Sequence, residues 1–232
     1  MPLQAAVNQP GYVGTSGQTT TPIRGTLYVE PSANAQRSIG SSSALDTAAG
    51  TGARKVRIRY FSLDLLALKE EVVTLNGVTP VNTVATDICF IQNMTVEDVG
   101  SGGGNAGTIS LFVGLAGAGG TVGTIAVGDN QTNWCHHYVA NGYTAYVTAI
   151  QGGGKGPSSG SITIRKTPIV TPAQAELTIA PQMRVPAGGS NTFVYAIVPL
   201  AVAGPSRITL YVQQDAVSGA NTWYAGFSLY EN

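Results

Sequence analysis

The chain is poor in charge: only 10% of its 232 residues are Asp, Glu, Lys or Arg, and 12 basic residues balance 12 acidic ones. Clustered Lys and Arg that could neutralise phosphates are missing, which argues against a nucleic-acid partner. Cysteine is nearly absent too. Cys89 and Cys135 alone cannot form a disulfide scaffold at this length; one bridge between them is the alternative to the favoured expectation, that both are buried as reduced small hydrophobes. Histidine occurs only as the adjacent pair His136 and His137. No window reaches the ~18 uninterrupted apolar residues of a membrane helix, and the start "MPLQAAVNQPGY" lacks the basic and apolar regions of a secretory signal. The expectation is therefore a product of the cytoplasm with no membrane partner. It is no disordered tail either, because 43% of the residues are hydrophobic. A folded surface with so few charges suits a subunit whose exterior is covered by neighbours.

What the chain does have is glycine, 30 residues of it, and short runs of alternating apolar and polar residues. In "ARKVRIRYF", Val56, Ile58 and Tyr60 point one way while Lys55, Arg57 and Arg59 point the other, the signature of a half-buried antiparallel strand. About thirteen such runs follow at 8–15-residue spacing, separated by loops such as "GSGGGNAG" and "QGGGKGPSSG". Asn76-Gly77, between "VVTL" and "VTPV", predicts a two-residue hairpin turn. "LDLLALKEE" has a helical flavour, but its place between two strands favours a turn. These signals specify an all-β protein, an antiparallel jelly-roll-type β-sandwich. Residues 1–44, rich in Gly, Ser, Thr, Ala and Pro, are expected to form a mostly extended N-terminal arm, and residues 45–232 the sandwich.

Chemistry is harder to find. In "NWCHHYV" a strand would put Cys135 and His137 on one face and His136 on the other. Two ligands do not close a zinc site, so Cys135 and His137 could bind metal only with help from other subunits. The simpler reading is a strand whose histidines lie at an interface or in solvent. "GGGKGPSS" lacks the spacing and the following helix of a phosphate-binding loop. No nucleophile elbow occurs, and spacing singles out no acid pair among Glu70, Glu71, Asp46, Asp64, Asp87, Glu97, Asp98 and Asp129. The expectation is no enzyme and no cofactor. Candidate interface residues are Tyr28, Trp134 and Trp223, with the basic stripe Lys55, Arg57 and Arg59 able to pair with acids of a partner.

From residue 38 to about 115 the chain resembles the jelly-roll virion structural proteins of tailed bacteriophages, especially marine and cyanobacterial ones. Asp46, Thr47, Gly50, Thr51, Gly52 and Arg54 match the first piece of that family's pattern. Glu71, Val73, Thr74, Leu75, Asn76, Gly77, Thr79, Pro80 and Val81 match the second, and Gly104, Asn105, Gly107 and Thr108 the third. Beyond residue 115 the likeness is looser, and the run "NWCHHY" (Asn133–Tyr138) and the long arm depart from it. The resemblance implies a capsid decoration or cement protein. Its partners would be the major capsid protein or other virion proteins and further copies of itself, as a homotrimer, on a particle assembled in the host cytoplasm. The alternative is a tail or fibre adhesin presenting Trp134, Tyr138, Trp223 and Tyr224 to a host glycan.

Overall fold

The structure is a computed structural model that describes residues 7–15, 20–169, 176–179, 183–194, 199–215 and 221–232. Its strands are β1 (Val7–Thr15), β2 (Thr21–Pro22), β3 (Ser38–Ser41), β4 (Ala53–Phe61), β5 (Lys69–Thr74), β6 (Val81–Asn82), β7 (Phe90–Val99), β8 (Ile109–Phe112) and β9 (Thr121–Ile125). They continue as β10 (His136–Val139), β11 (Thr144–Lys155), β12 (Gly160–Pro168), β13 (Leu177–Thr178), β14 (Met183–Val185), β15 (Ser190–Val194), β16 (Leu200–Ala203), β17 (Ser206–Gln214) and β18 (Asn221–Glu231). All pairings between these strands are antiparallel. Among the described residues the only helical element is one 3-10 turn at Leu115–Gly117. The expected all-β antiparallel sandwich is what the chain builds.

It builds two compact units rather than one domain behind an arm. The first holds residues 1–25 and 133–232, and the second, residues 26–132, is inserted between them. The expected boundary near residue 44 therefore moves to the crossing points at 25/26 and 132/133. Composition could not reveal these points, because no Gly-Pro-Ser linker marks them. The outgoing and returning segments pair with each other instead: Arg24 bridges Trp134, and the Gly25 amide donates to the Asn133 carbonyl at 2.9 Å. A discontinuous unit joined through paired backbone leaves no linker to read.

In the first unit, one sheet runs β1-β18-β11-β15 with β16 also on β11, and the other β10-β17-β12-β13 with β14 on β12 and β2 on β17. Val147, Ile150, Trp223, Phe227 and Leu229 of the first sheet share a core with Ile162, Ile164, Leu210 and Val212 of the second. Alternation produces this directly, since every second residue of β17 and β18 faces inward. Residues 7–15, expected in the arm, are extended as predicted but are paired along their whole length with β18 of the same chain. Residues 1–6 and 16–19 of that arm lie outside the described residues.

The run "QGGGK", expected as a loop, is the C-terminal part of β11. Glycine has low strand propensity, so the sequence pattern points to a loop. Here the missing side chains make room for an indole. A Cβ on Gly154 would meet the Trp223 ring at 2.7 Å, and one on Gly160 would meet it at 2.6 Å. The fully buried Trp223 fills the space.

The second unit has one sheet ordered β6-β3-β8-β9 and another ordered β5-β4-β7. Val56, Ile58 and Tyr60 are buried and Lys55 and Arg59 exposed, as the alternation predicts. The Asn76-Gly77 turn forms, with Gly77 at φ +60° and the Thr79 amide bonded to the Asn76 carbonyl at 3.2 Å. It does not close a hairpin. Strand β5 pairs with β4, whereas β6 pairs with β3 in the other sheet, so the turn carries the chain between sheets. "LDLLALKEE" is a turn leading into β5, with Leu65 buried and Leu63, Leu66 and Leu68 exposed.

Candidate functional site

The residues that carry the resemblance converge on one buried carboxylate. Asp46 is fully buried in the second unit, and its side chain accepts four hydrogen bonds. Oδ1 takes the amides of Ala53 (2.7 Å) and Ala106 (2.8 Å), while Oδ2 takes the Gly107 amide (2.9 Å) and the Ser41 hydroxyl (2.5 Å). Three chain segments, near residues 41–46, 52–53 and 106–107, are tied at one point. Gly52 is needed there because a Cβ would run into Asp46 Oδ1. Backbone polarity closes the rest: the Asp46 carbonyl accepts from Gly77, and the Gly77 carbonyl accepts from Ser41. The motif Asp-Thr-x-x-Gly-Thr-Gly and the Asn-Gly turn are thus two walls of one polar knot.

Asn105 forms a second knot beside it. Its Nδ2 donates to the carbonyls of Gly107 and Ala126, each at 2.7 Å. Its amide donates to Asn130 Oδ1 while the Asn130 amide donates back to Asn105 Oδ1, both at 3.0 Å. "GSGGGNAG" is therefore a pinned loop, not a phosphate cradle. The sequence signal was present in the asparagine and glycines of the third motif, but their partner Asn130 lay too far along the chain to be paired by pattern.

Arg37 was missed altogether, hidden in a stretch that reads as arm. It is buried, and its guanidinium donates to the carbonyls of Val113 (2.7 Å), Ala33 (2.9 Å) and Ile88 (3.1 and 3.3 Å). Burial lowers its pKa, yet an arginine stays charged at any ordinary pH. Nearby Cys89 is also buried, and desolvation pushes its thiol up to about 11. Cys135 is pushed well above its ordinary value by the same cause. Neither cysteine is in a disulfide, and neither has the thiolate character that reactivity needs.

The Cys135–His137 candidate separates into two environments. The two share a face, as the strand period predicted, while His136 lies on the other between Trp134 (ring centroids 5.5 Å) and Tyr138 (5.3 Å). Cys135 belongs to the apolar core of the first unit. His137 Nε2 instead donates to Glu231 Oε1 at 2.7 Å, from β10 in one sheet to β18 in the other. Both histidines are buried, correcting the expectation of a solvent or interface position. Among the described residues no group of three or more His, Cys, Asp or Glu stands close enough to hold a metal ion.

Of the interface candidates, Tyr28, Trp134 and Trp223 are buried in their own chain, so these rings cannot anchor a partner in this conformation. The adhesin reading loses Trp134, Tyr138 and Trp223 for the same reason; Tyr224, 48% exposed, remains. Arg57 makes a two-pronged contact to Glu97, Nε to Oε2 at 2.8 Å and Nη2 to Oε1 at 2.7 Å, and Nη1 reaches Glu70 at 2.6 Å. These bonds hold the Arg57 pKa up and the Glu97 carboxyl down. Arg59 leans on Glu70 at 3.5 Å, and Lys55 is exposed. The stripe expected to meet a partner's acids is met largely by acids of its own strands β5 and β7. Register alone decides this, and the sequence does not print register.

Large apolar side chains also face outward. Of the sixteen large hydrophobic or aromatic side chains exposed among the described residues, thirteen lie in the second unit. Four gather at one end: Leu63, Leu66 and Leu68 precede β5, and Val84, 86% exposed, is held against it because Glu71 accepts the amides of Val84 (2.7 Å) and Ala85 (3.0 Å). Lys69 and Asp87 clasp the same two segments at 2.5 Å. Among the described residues no helix is long and apolar enough to cross a membrane, which says nothing of strands.

Fold and polar knots together define an antiparallel β-sandwich protein whose most elaborate side-chain constellations hold loops in place. No family model and no curated protein matches the chain. Among solved structures it is similar to the VP2 protein of infectious bursal disease virus. A mutant VP2 in derived particles shows 11% identity and a TM-score of 0.31 over 99% of this chain and 70% of that one. The VP2 subviral particle shows 11% and 0.30 over 99% and 72%. The Gt strain of the same virus shows 11% and 0.27 over 100% and 73%. Overlaps at this level neither fix a shared topology nor bear on role.

Proposed function

We propose that the chain is a non-enzymatic virion structural protein of a tailed bacteriophage, a decoration or cement subunit that docks on the shell together with further copies of itself. The observation that carries this reading is where the family-like residues sit. Asp46, Gly52, Asn76, Gly77, Asn105 and Gly107 all serve the polar knots, so what the resemblance preserves is a loop scaffold and not a catalytic centre. The exposed apolar end formed by Leu63, Leu66, Leu68 and Val84 supplies an attachment face. Repetition on a shell makes even a modest contact of this kind effectively irreversible, because neighbouring attachments raise the local concentration.

Quantitative mass spectrometry of purified particles tests the proposal. A copy number comparable to that of the major capsid protein supports a shell subunit. A handful of copies per particle would make it a tail part, and absence from particles would end the virion reading. Leu66→Glu with Val84→Glu, both at exposed positions, is expected to empty the particle of this protein while leaving the isolated chain folded.

A further inference from the structure

The chain contains two Asn-Gly dipeptides, Asn76-Gly77 and Asn141-Gly142. Asparagine followed by glycine is the pair most prone to self-modification, because no side chain shields the following amide. That backbone nitrogen attacks Cγ of the asparagine, the new N–C bond closes a five-membered succinimide, and ammonia leaves. Water then opens the ring at either carbonyl to give aspartate or isoaspartate. No oxidant, metal or enzyme is required, and one neutral amide becomes one carboxylate.

The fold treats the two sites oppositely. At the first, the attacking nitrogen is occupied: the Gly77 amide donates to the Asp46 carbonyl at 2.8 Å, and Gly77 is buried within the Asp46 knot. Attack there first requires that knot to open. At the second, Asn141 and Gly142 are both exposed, at the centre of a turn closed by the Tyr143 amide on the Ala140 carbonyl at 3.2 Å. Gly142 takes φ +82° while Asn141 keeps a negative φ, a type II arrangement. Among the described residues the Gly142 amide has no hydrogen bond to surrender before it attacks.

We propose that Asn141 is a site of spontaneous deamidation in the folded protein and that Asn76 is protected from it. The site is placed to have an effect. It joins β10 of one sheet to β11 of the other, and its flanks are pinned, with the Gly204 amide on the Tyr143 carbonyl at 2.9 Å and the Thr144 amide on the Asn232 carbonyl at 3.0 Å. Isoaspartate would insert an additional backbone carbon into that corner. The inference is independent of the virion reading.

The test is peptide mapping of the native protein after incubation at mildly alkaline pH, with the urea-unfolded chain incubated in parallel. In urea both sites should convert at similar rates. In the folded protein Asn141 should convert at least about tenfold faster than Asn76, the factor that a local opening free energy of about 1.4 kcal/mol imposes. Asn141→Gln should abolish the early acidic species on isoelectric focusing. Equal rates in the folded state, faster conversion of Asn76, or an Asn141 that stays intact while the unfolded chain converts would each overturn the proposal.

Discussion

The two units of this chain divide a net charge of zero unequally. The first carries six Lys and Arg against three Asp and Glu, a net +3, while the second carries six against nine, a net −3. They also differ in what holds them. The first is organised around a broad apolar core reaching from Ile23 to Leu229, with buried polar contacts joining its sheets at His137–Glu231 and through Ser158, which binds both Gln214 and Asn221. The second ties its loops through buried or half-buried polar groups, Arg37, Asp46, Asn105 and Asn130, and turns most of the exposed apolar side chains outward. One sandwich is closed on itself; the other is built to hold its loops firmly while presenting a sticky surface. That contrast can be broken experimentally.

The largest effect is expected at Asp46. Asp46→Ala leaves the buried amides of Ala53 and Gly107 and the part-buried amide of Ala106 without their acceptor, a cost of about 4 kcal/mol when each buried orphan costs about 1–3. Asp46→Asn should recover little, since its NH2 would face donors. Hydrogen exchange read by mass spectrometry should show protection lost around residues 41–53 and 104–108, with β11 and β18 unchanged. Equal loss in β11 and β18 would mean that the two units open as one, and the contrast would fail.

Much of this was legible from residues alone, and the illegible part has a common cause. The faces of β4, the turn at Asn76-Gly77 and the burial of both cysteines follow from local pattern, because alternation and turn chemistry are properties of adjacent residues. The hairpin, the "GGG" loop and the single-domain boundary failed because each depends on a distant partner. Strand β5 chose β4 over β6, Trp223 filled the space beside Gly154, and residues 133–232 returned to complete a unit begun by residues 1–25. The candidate site divided the same way. The motif residues were found, but Asp46 as their centre was not, since its four donors come from three segments.

A smaller effect is expected in the first unit. Glu231→Ala removes the acceptor of His137 and leaves an imidazole buried between the sheets, at a cost of about 2–3 kcal/mol. Denaturant melts should show the loss, and exchange should rise in β10 and β18 while the peptides around Asp46 hold. Spread of the loss into the second unit would again argue for one cooperative body.

The smallest effect is expected at the charged stripe, and its pH dependence tests whether that stripe is an internal device or a docking patch. Arg57→Ala should lower the neutral-pH melting temperature by only a small margin at physiological salt, because the Arg57–Glu97–Glu70 cluster is solvent-facing and screened. Acid should distinguish the two proteins. Hydrogen bonds from Arg57 hold the folded-state pKa of Glu97 below its ordinary 4.5. A depressed carboxylate contributes stability above its unfolded pKa and loses it as pH falls through the folded value. Wild type should therefore lose stability more steeply than Arg57→Ala below about pH 4.5, and the two curves should meet once Glu97 is protonated. Melts at a series of pH values decide it. Parallel curves, together with reduced particle occupancy of Arg57→Ala, would show that this arginine serves a partner, and the surface available for docking would have to be redrawn from the apolar end of the unit to its charged sheet face.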